Sequence, residues 1–276
     1  MNELKGKVAV ITGAGSGFGR ELALLCAAEG MRLALADVDE AGLEGTQALL
    51  PAGTEVLRQR CDVSKADAVE ALAAQTYARF GAAHLLFNNA GVAVAGPTWM
   101  ATLDDWQWVL GVNLMGVVHG VKSFVPRMLA QNDDCHIVNT ASVAGLLSVP
   151  ASSVYCVSKH GVVTLSECLH HELRAANSKV SVSVLCPAFV NTGIAEAGRN
   201  RPAELSATNP AAAEYEARIL KAVRSGKLSA ADVARMTMDA VKADRFYILT
   251  HPAIKPAVEA RMRDILDGRQ PTNPMP

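Results

Sequence analysis

The chain has 276 residues, half of them apolar, and its 26 Lys and Arg against 27 Asp and Glu leave a formal net charge of −1. That length lies near the upper limit of a single hydrophobic core, and the apolar half excludes disorder for most of it. Balanced charge without a long basic run argues against electrostatic capture of nucleic acid or of an anionic membrane as the main activity.

Residues 1–7 lack the apolar core of a signal peptide, and no uninterrupted apolar stretch approaches the roughly 18–20 residues of a membrane helix. Val8-Ala9-Val10-Ile11 is a compact apolar run, too short for a helix and stopped by Gly13, and reads as a buried strand. Residues 16–29 follow as a helix, with Phe18, Leu22, Leu25 and Cys26 at helical spacing and Gly30 just past its end. Between the two lies Thr12-Gly13-Ala14-Gly15-Ser16-Gly17-Phe18-Gly19. Glycines there permit φ > 0 and let a pyrophosphate touch the backbone, while the free N–H groups and dipole of the helix favour an anion. A tight turn without a ligand would use the same residues. No Gly-Lys-Ser/Thr follows, which excludes a P-loop nucleoside triphosphatase.

The second strand, 32–37, ends in Asp37, 18 residues after Gly19. A carboxylate at that point can accept hydrogen bonds from the adenosine ribose and would repel a 2′-phosphate. With no arginine at Ser16 or Val38, NAD is expected in preference to NADP. The alternative is a turn residue ahead of the helix at 39–50, which Asp39 can cap. A third strand at 55–60 leads to Cys61-Asp62-Val63, where Asp62 either meets an adenine amine or shapes the turn into Ser64, the expected N-cap of a helix over 64–80. Residues 85–88 are the fourth strand.

A long helical stretch runs from 102 to 131, interrupted by Gly111-Val112-Asn113-Leu114-Met115-Gly116; two glycines and an asparagine among good helix formers suggest a kink that exposes backbone groups. Trp99, Trp106 and Trp108 flank its start and suit packing better than substrate stacking. A strand at 137–142 ends in Ser142, whose hydroxyl can hydrogen-bond a carbonyl oxygen or simply close a turn. The helix over 152–176 carries Tyr155 and Lys159 four residues apart, hence on one face with Cβ atoms about 5–6 Å apart. An ammonium beside a phenol favours the phenolate and moves it toward useful acid–base chemistry. Strands at 180–186 and 246–250 flank a helix at 229–243. Seven mostly apolar strands alternating with helices predict an α/β fold, a doubly wound parallel sheet between two helical layers.

Taken together, the Gly13–Gly19 turn, Asn88-Asn89-Ala90-Gly91, Val112-Asn113, Ser142, Tyr155-Cys156-Val157-Ser158-Lys159 and Pro187-Ala188-Phe189-Val190-Asn191-Thr192 resemble the classical short-chain dehydrogenase/reductase family over essentially the whole length. The resemblance implies a Rossmann-type catalytic domain and an NAD(P)-dependent exchange between a secondary alcohol and a ketone. It implies Tyr155 as proton donor and acceptor, Lys159 lowering its pKa and binding the nicotinamide ribose, Ser142 orienting the substrate oxygen and Asn113 holding a water. It further implies Asn89 packing beneath the cofactor, Ala90 and Gly91 beside it, and Thr192 with the Val190 backbone at the carboxamide, next to Pro187. Where the family usually has glycine after that proline, this chain has Ala188, so the loop is expected to be shaped differently.

One domain is expected over 1–268, with 194–227, which contains Pro202 and Pro210, as a substrate lid and 269–276 as a mobile tail. Val94, Val143, Leu146, Leu147, Val149 and Phe189 are candidates for an apolar pocket, favouring a hydrophobic small-molecule alcohol or ketone. An NADP-dependent ketoacyl reductase and a non-catalytic dinucleotide sensor are the competing readings. The resemblance suggests a homotetramer built largely from the helices at 102–131 and 152–176. His170 and His171 point to different faces of their helix and no metal-ligand spacing occurs, so no metal is expected. Six cysteines without a C-x-x-C pair read as reduced thiols of a cytoplasmic protein.

Overall fold

Seven apolar segments become strands β1 (Val8–Thr12), β2 (Arg32–Asp37), β3 (Val56–Arg60), β4 (Leu85–Asn88), β5 (Cys135–Thr140), β6 (Val180–Cys186) and β7 (Tyr247–Leu249) in the computed structural model, which describes residues 1, 3–207, 209 and 212–275. They form one parallel sheet in the order β3-β2-β1-β4-β5-β6-β7. The order reverses between β1 and β4, whose registers pair Val10 with Leu86 and Ile11 with Phe87. Strands β1, β4 and β5 are buried along their whole length, as expected of a sheet covered on both faces.

The helices are α1 (Gly17–Ala28), α2 (Glu40–Ala48), α3 (Ala66–Phe80), α4 (Leu103–Leu110), α5 (Gly116–Gln131), α6 (Ser153–Ala175), α7 (Ala212–Arg224), α8 (Ala230–Lys242) and α9 (Lys255–Leu266). One core layer holds Leu22, Leu33, Leu85, Phe87 and Met238 beneath α1 and α8, and the other holds Val10, Leu72, Leu86, Phe124 and Met128 beneath α3 and α5. The sheet therefore lies between two apolar layers that no single helix could bury alone.

Several expectations shift. Ser64 does not cap α3; Lys65 precedes the helix, and the Ser64 amide instead donates to Asp62 Oδ1 at 3.0 Å. The helical stretch Leu103–Gln131 is long and apolar enough on average to cross a membrane, although Asn113, His119 and Lys122 interrupt its apolar run. It serves as a core helix, with half of its most apolar window buried. Helices α7 and α9 have no counterpart among the expected elements; each buries a single residue, Val223 and Asp264, and so leaves little apolar pattern. Thr208, Pro210 and Ala211 of the expected lid, and Pro276 of the tail, lie outside the described residues.

His136, within β5 and 1% exposed, has its Nε2 at 2.7 Å from Ser183 Oγ, and burial holds its pKa down at about 4. The native state thus keeps the ring neutral while the unfolded chain protonates it near pH 6.5, so stability is full above pH 6.5 and is lost progressively down to about pH 4. The loss is on the order of 3 kcal/mol. Urea titrations at pH 7 and pH 5 should show this decline, and His136→Gln should flatten it.

Candidate active site

The carboxyl ends of β1, β2, β4, β5 and β6 open into a cavity of about 920 Å³. At its floor the β1–α1 turn takes Gly13 and Gly17 to φ values of 66° and 52°, in the left-handed region. A Cβ on Gly13 would lie 2.9 Å from the Ala90 backbone, and one on Gly19 would lie 2.0 Å from the Gly13 carbonyl, so the turn closes only with glycine. Ser16 precedes α1 without capping it, leaving the first amides of the helix unclaimed by that side chain. Gly13, Ser16, Gly17 and Phe18 face the cavity, whereas Gly19 packs beneath the turn. This is a cradle for an anion of the size of a pyrophosphate.

Asp37 does two jobs. Its Oδ2 accepts from Gly15 N at 2.8 Å and its Oδ1 from Asp39 N at 3.0 Å, which fixes the turn, while Asp39 caps α2 through Gly42 N. A carboxylate has about four acceptor positions, so lone pairs remain toward the cavity that Asp37 also lines. Asp62 shapes its own turn and lines the same wall with Val63. Asn89 ties β4 to the glycine turn: its amide donates to Thr12 Oγ1 at 2.9 Å and its Nδ2 to Thr12 O at 3.0 Å. Together these residues fit a nicotinamide dinucleotide, with the glycine cradle for its phosphates and the Asp37 carboxylate for a ribose.

At the other end of the cavity α6 presents Tyr155 and Lys159 on one face, with Lys159 Nζ 5.6 Å from the Tyr155 ring centre. Lys159 is 2% exposed and donates to Thr140 O at 2.8 Å. Burial brings its pKa down to about 8. Burial also pushes the Tyr155 phenol up to about 12, with the side-chain hydrogen bond between it and Ser142 opposing the rise. Desolvation sets the direction here, contrary to the lowered phenol expected from the sequence. Ser142 sits just past β5, where its hydroxyl donates to Pro187 O at 3.2 Å and accepts from Ala144 N at 3.2 Å.

The interruption between α4 and α5 is a π-helical turn, Gly111–Met115, in which Gly116 N donates to Gly111 O. The Asn113 side chain is fully buried and occupied: its Oδ1 accepts from Val92 N at 2.8 Å, and its Nδ2 donates to Val92 O at 2.9 Å and Ser158 Oγ at 3.0 Å. It clamps the 91–92 loop to α6, and its own side chain does not line the cavity.

Ala188 has no positive φ, so its methyl group fits the loop without left-handed strain, and its amide donates to His251 Nδ1 at 3.3 Å. Burial keeps His251 below the ordinary histidine pKa, consistent with a neutral acceptor nitrogen. Pro187, Val190 and Thr192 reach the cavity, and the Thr192 side chain packs against Gly17. Val94, Val143, Leu147, Val149 and Phe189 line the apolar end, but Leu146 does not. The short 3-10 turn Val143–Gly145 turns Leu146 into the cluster around Val162 and Val163 and leaves Leu147 to face the pocket.

Sequence reasoning missed Trp108, which lines the cavity from α4, and the C-terminal segment, whose Asn273, Pro274 and Met275 line its rim. Thr272 N donates to the buried carboxylate of Asp264 in α9 at 2.9 Å, which brings that segment back over the mouth. Neither carries a periodic signal.

Comparison with known proteins identifies the family. Residues 7–203 match the short chain dehydrogenase family. A short-chain dehydrogenase/reductase from Burkholderia phymatum, solved in complex with NAD, is 54% identical and superposes with a TM-score of 0.97 over 100% of both chains. The CLA biosynthesis dehydrogenase/reductase of Lactiplantibacillus plantarum is 36% identical over 98% of this chain and 97% of its own. The C alpha-dehydrogenase of a Sphingobium strain is 31% identical over 98% of this chain and 89% of its own. The chain belongs to the classical short-chain dehydrogenase/reductase family of oxidoreductases.

Proposed function

We propose that this protein interconverts a hydrophobic secondary alcohol and its ketone with NAD as the redox partner, using Tyr155 as the general acid and base. The observation that carries the reading is the convergence of Tyr155, Ser142 and Lys159 with the glycine cradle and Asp37 on one cavity. When bound, the dinucleotide supplies hydride exchange at its nicotinamide ring and, oxidised, a positive charge. The Tyr155 hydroxyl donates its proton to a carbonyl oxygen during reduction and takes it back during oxidation. Ser142 holds that oxygen, Lys159 favours the phenolate, and its bond to Thr140 O anchors the ammonium. Asn113 acts by holding Val92 and Ser158 in place.

The Asp37 carboxylate supports NAD over NADP, as does the NAD complex of the Burkholderia phymatum relative. Apolar Val94, Val143, Leu147 and Phe189 support a hydrophobic substrate. Apolar side chains exposed on the helices, Leu129 on α5 and Val157 on α6, support a homotetramer, and six free thiols, five of them buried, support a reducing cytoplasmic setting. Initial-rate assays with NAD⁺ and NADP⁺ across alicyclic, aromatic and steroid-like alcohols test the reading. Turnover with NAD⁺ is expected; turnover only of sugar phosphates or acyl-carrier thioesters would overturn it.

A further inference from the structure

From Gly193 to Leu205 the chain crosses the apolar end of the cavity as two 3-10 turns, Gly193–Asn200 and Ala203–Leu205, joined by Arg201 and Pro202. Among the described residues from 191 to 222, Ala197 is the only apolar side chain fully buried. Burying one alanine cannot hold so long a segment against its conformational entropy. A polar cluster does instead. Arg201 Nη1 lies 2.6 Å from Asp105 Oδ1, with the two side chains only 11% and 6% exposed. Its Nη2 donates to Ala207 O at 2.7 Å, its Nε donates to Leu205 O, and its guanidinium carbon stands 5.1 Å from the centre of the Trp108 ring.

The same cluster caps the start of α4. Asp105 Oδ2 accepts from Thr102 N at 2.9 Å in a capping box, Thr102 Oγ1 donates to Ala207 O at 3.1 Å, and Asp104 Oδ2 accepts from Ala207 N at 3.0 Å. One end of the arrangement is therefore rigid helix and the other is a segment with almost no core of its own. The fork geometry of arginine satisfies carboxylate, carbonyls and aromatic face together, which lysine cannot do. Ala197 and Leu205 are thereby packed into one apolar cluster with Val92, Trp108 and Val154, of which Val92 and Trp108 line the cavity that Tyr155 also lines.

We propose that Arg201 is a positioning residue that latches the 193–207 segment onto α4 through Asp105 and so sets which bulky substrates the pocket accepts. Neither side chain lines the cavity, so the pair acts through the wall it places. The inference rests on the reading above that this cavity takes the substrate. Breaking the pair leaves a buried charge unpartnered, which the segment relieves by swinging toward water.

The test uses the full chain with NADH bound and compares Arg201→Ala, Arg201→Lys and Asp105→Asn. Asparagine keeps an oxygen for the Thr102 amide, so that variant preserves the helix cap and removes the charge. Hydrogen exchange of amides 193–207 is expected to accelerate at least tenfold in Arg201→Ala and Asp105→Asn, with partial rescue in Arg201→Lys. KM for the bulkiest alcohol turned over should rise at least tenfold, while kcat on the smallest and the NADH dissociation constant stay within about threefold. Unchanged exchange over 193–207, or an unchanged KM for the bulky alcohol, overturns the latch. If the unaltered protein turns over no alcohol, the functional reading fails, and the exchange measurement still decides whether Arg201 holds the segment.

Discussion

Tyr155→Phe should bind NADH as tightly as the unaltered protein and turn over its alcohol on the order of 10³-fold more slowly. The substitution keeps the ring that faces the Lys159 ammonium at 5.6 Å and removes only the hydroxyl. Packing and the cofactor cradle are left alone, so a loss of rate isolates proton transfer. Because the phenol stands at about 12, alcohol oxidation in the unaltered protein should accelerate as pH rises, and the residual rate of the variant should lose that dependence. Fluorescence titration with NADH paired with initial rates from about pH 6 to 10 reads both. A protein that only senses dinucleotide would show no rate to lose.

The second large effect belongs to Asp37. Asp37→Asn keeps one oxygen for Gly15 N, at 2.8 Å in the unaltered protein, so the glycine turn stands, while Asp39 N loses its charged acceptor. What disappears is the negative charge proposed to meet the ribose. A hydrogen bond to a charged group contributes about 1.5–3 kcal/mol, so the ratio of NADPH to NADH dissociation constants should fall roughly 10- to 100-fold. Titration of both reduced dinucleotides checks this. An unaltered protein that binds NADPH more tightly would reverse the proposed cofactor preference.

Much of this molecule is legible in its sequence. Apolar runs such as Val8-Ala9-Val10-Ile11 mark the central strands because full burial on two faces leaves few other readings. Tyr155 and Lys159 share a face because helical geometry leaves no choice. What escapes is set by contacts remote in sequence. Arg201 meets Asp105 across 96 positions, and Thr272 meets Asp264 beyond the end of a weakly patterned helix. Isolated polar side chains that pair once leave no period to detect. Local rotation decides other cases: one short turn takes Leu146 out of the pocket and keeps Leu147 in it, and the Gly-Asn break announces a kink without revealing that it is a π turn. The direction of the phenol's pKa escapes for an energetic reason, since spacing reports a neighbouring charge but not the desolvation that raises it.

The return of Asn273, Pro274 and Met275 to the cavity rim bears on how the protein should be handled. A purification handle fused behind residue 275 would begin beside residues that line the cavity and would strain the hydrogen bond between Thr272 and Asp264. The chain enters β1 from the amino ends of the strands, away from the cavity, so a handle placed there would leave the cavity rim untouched.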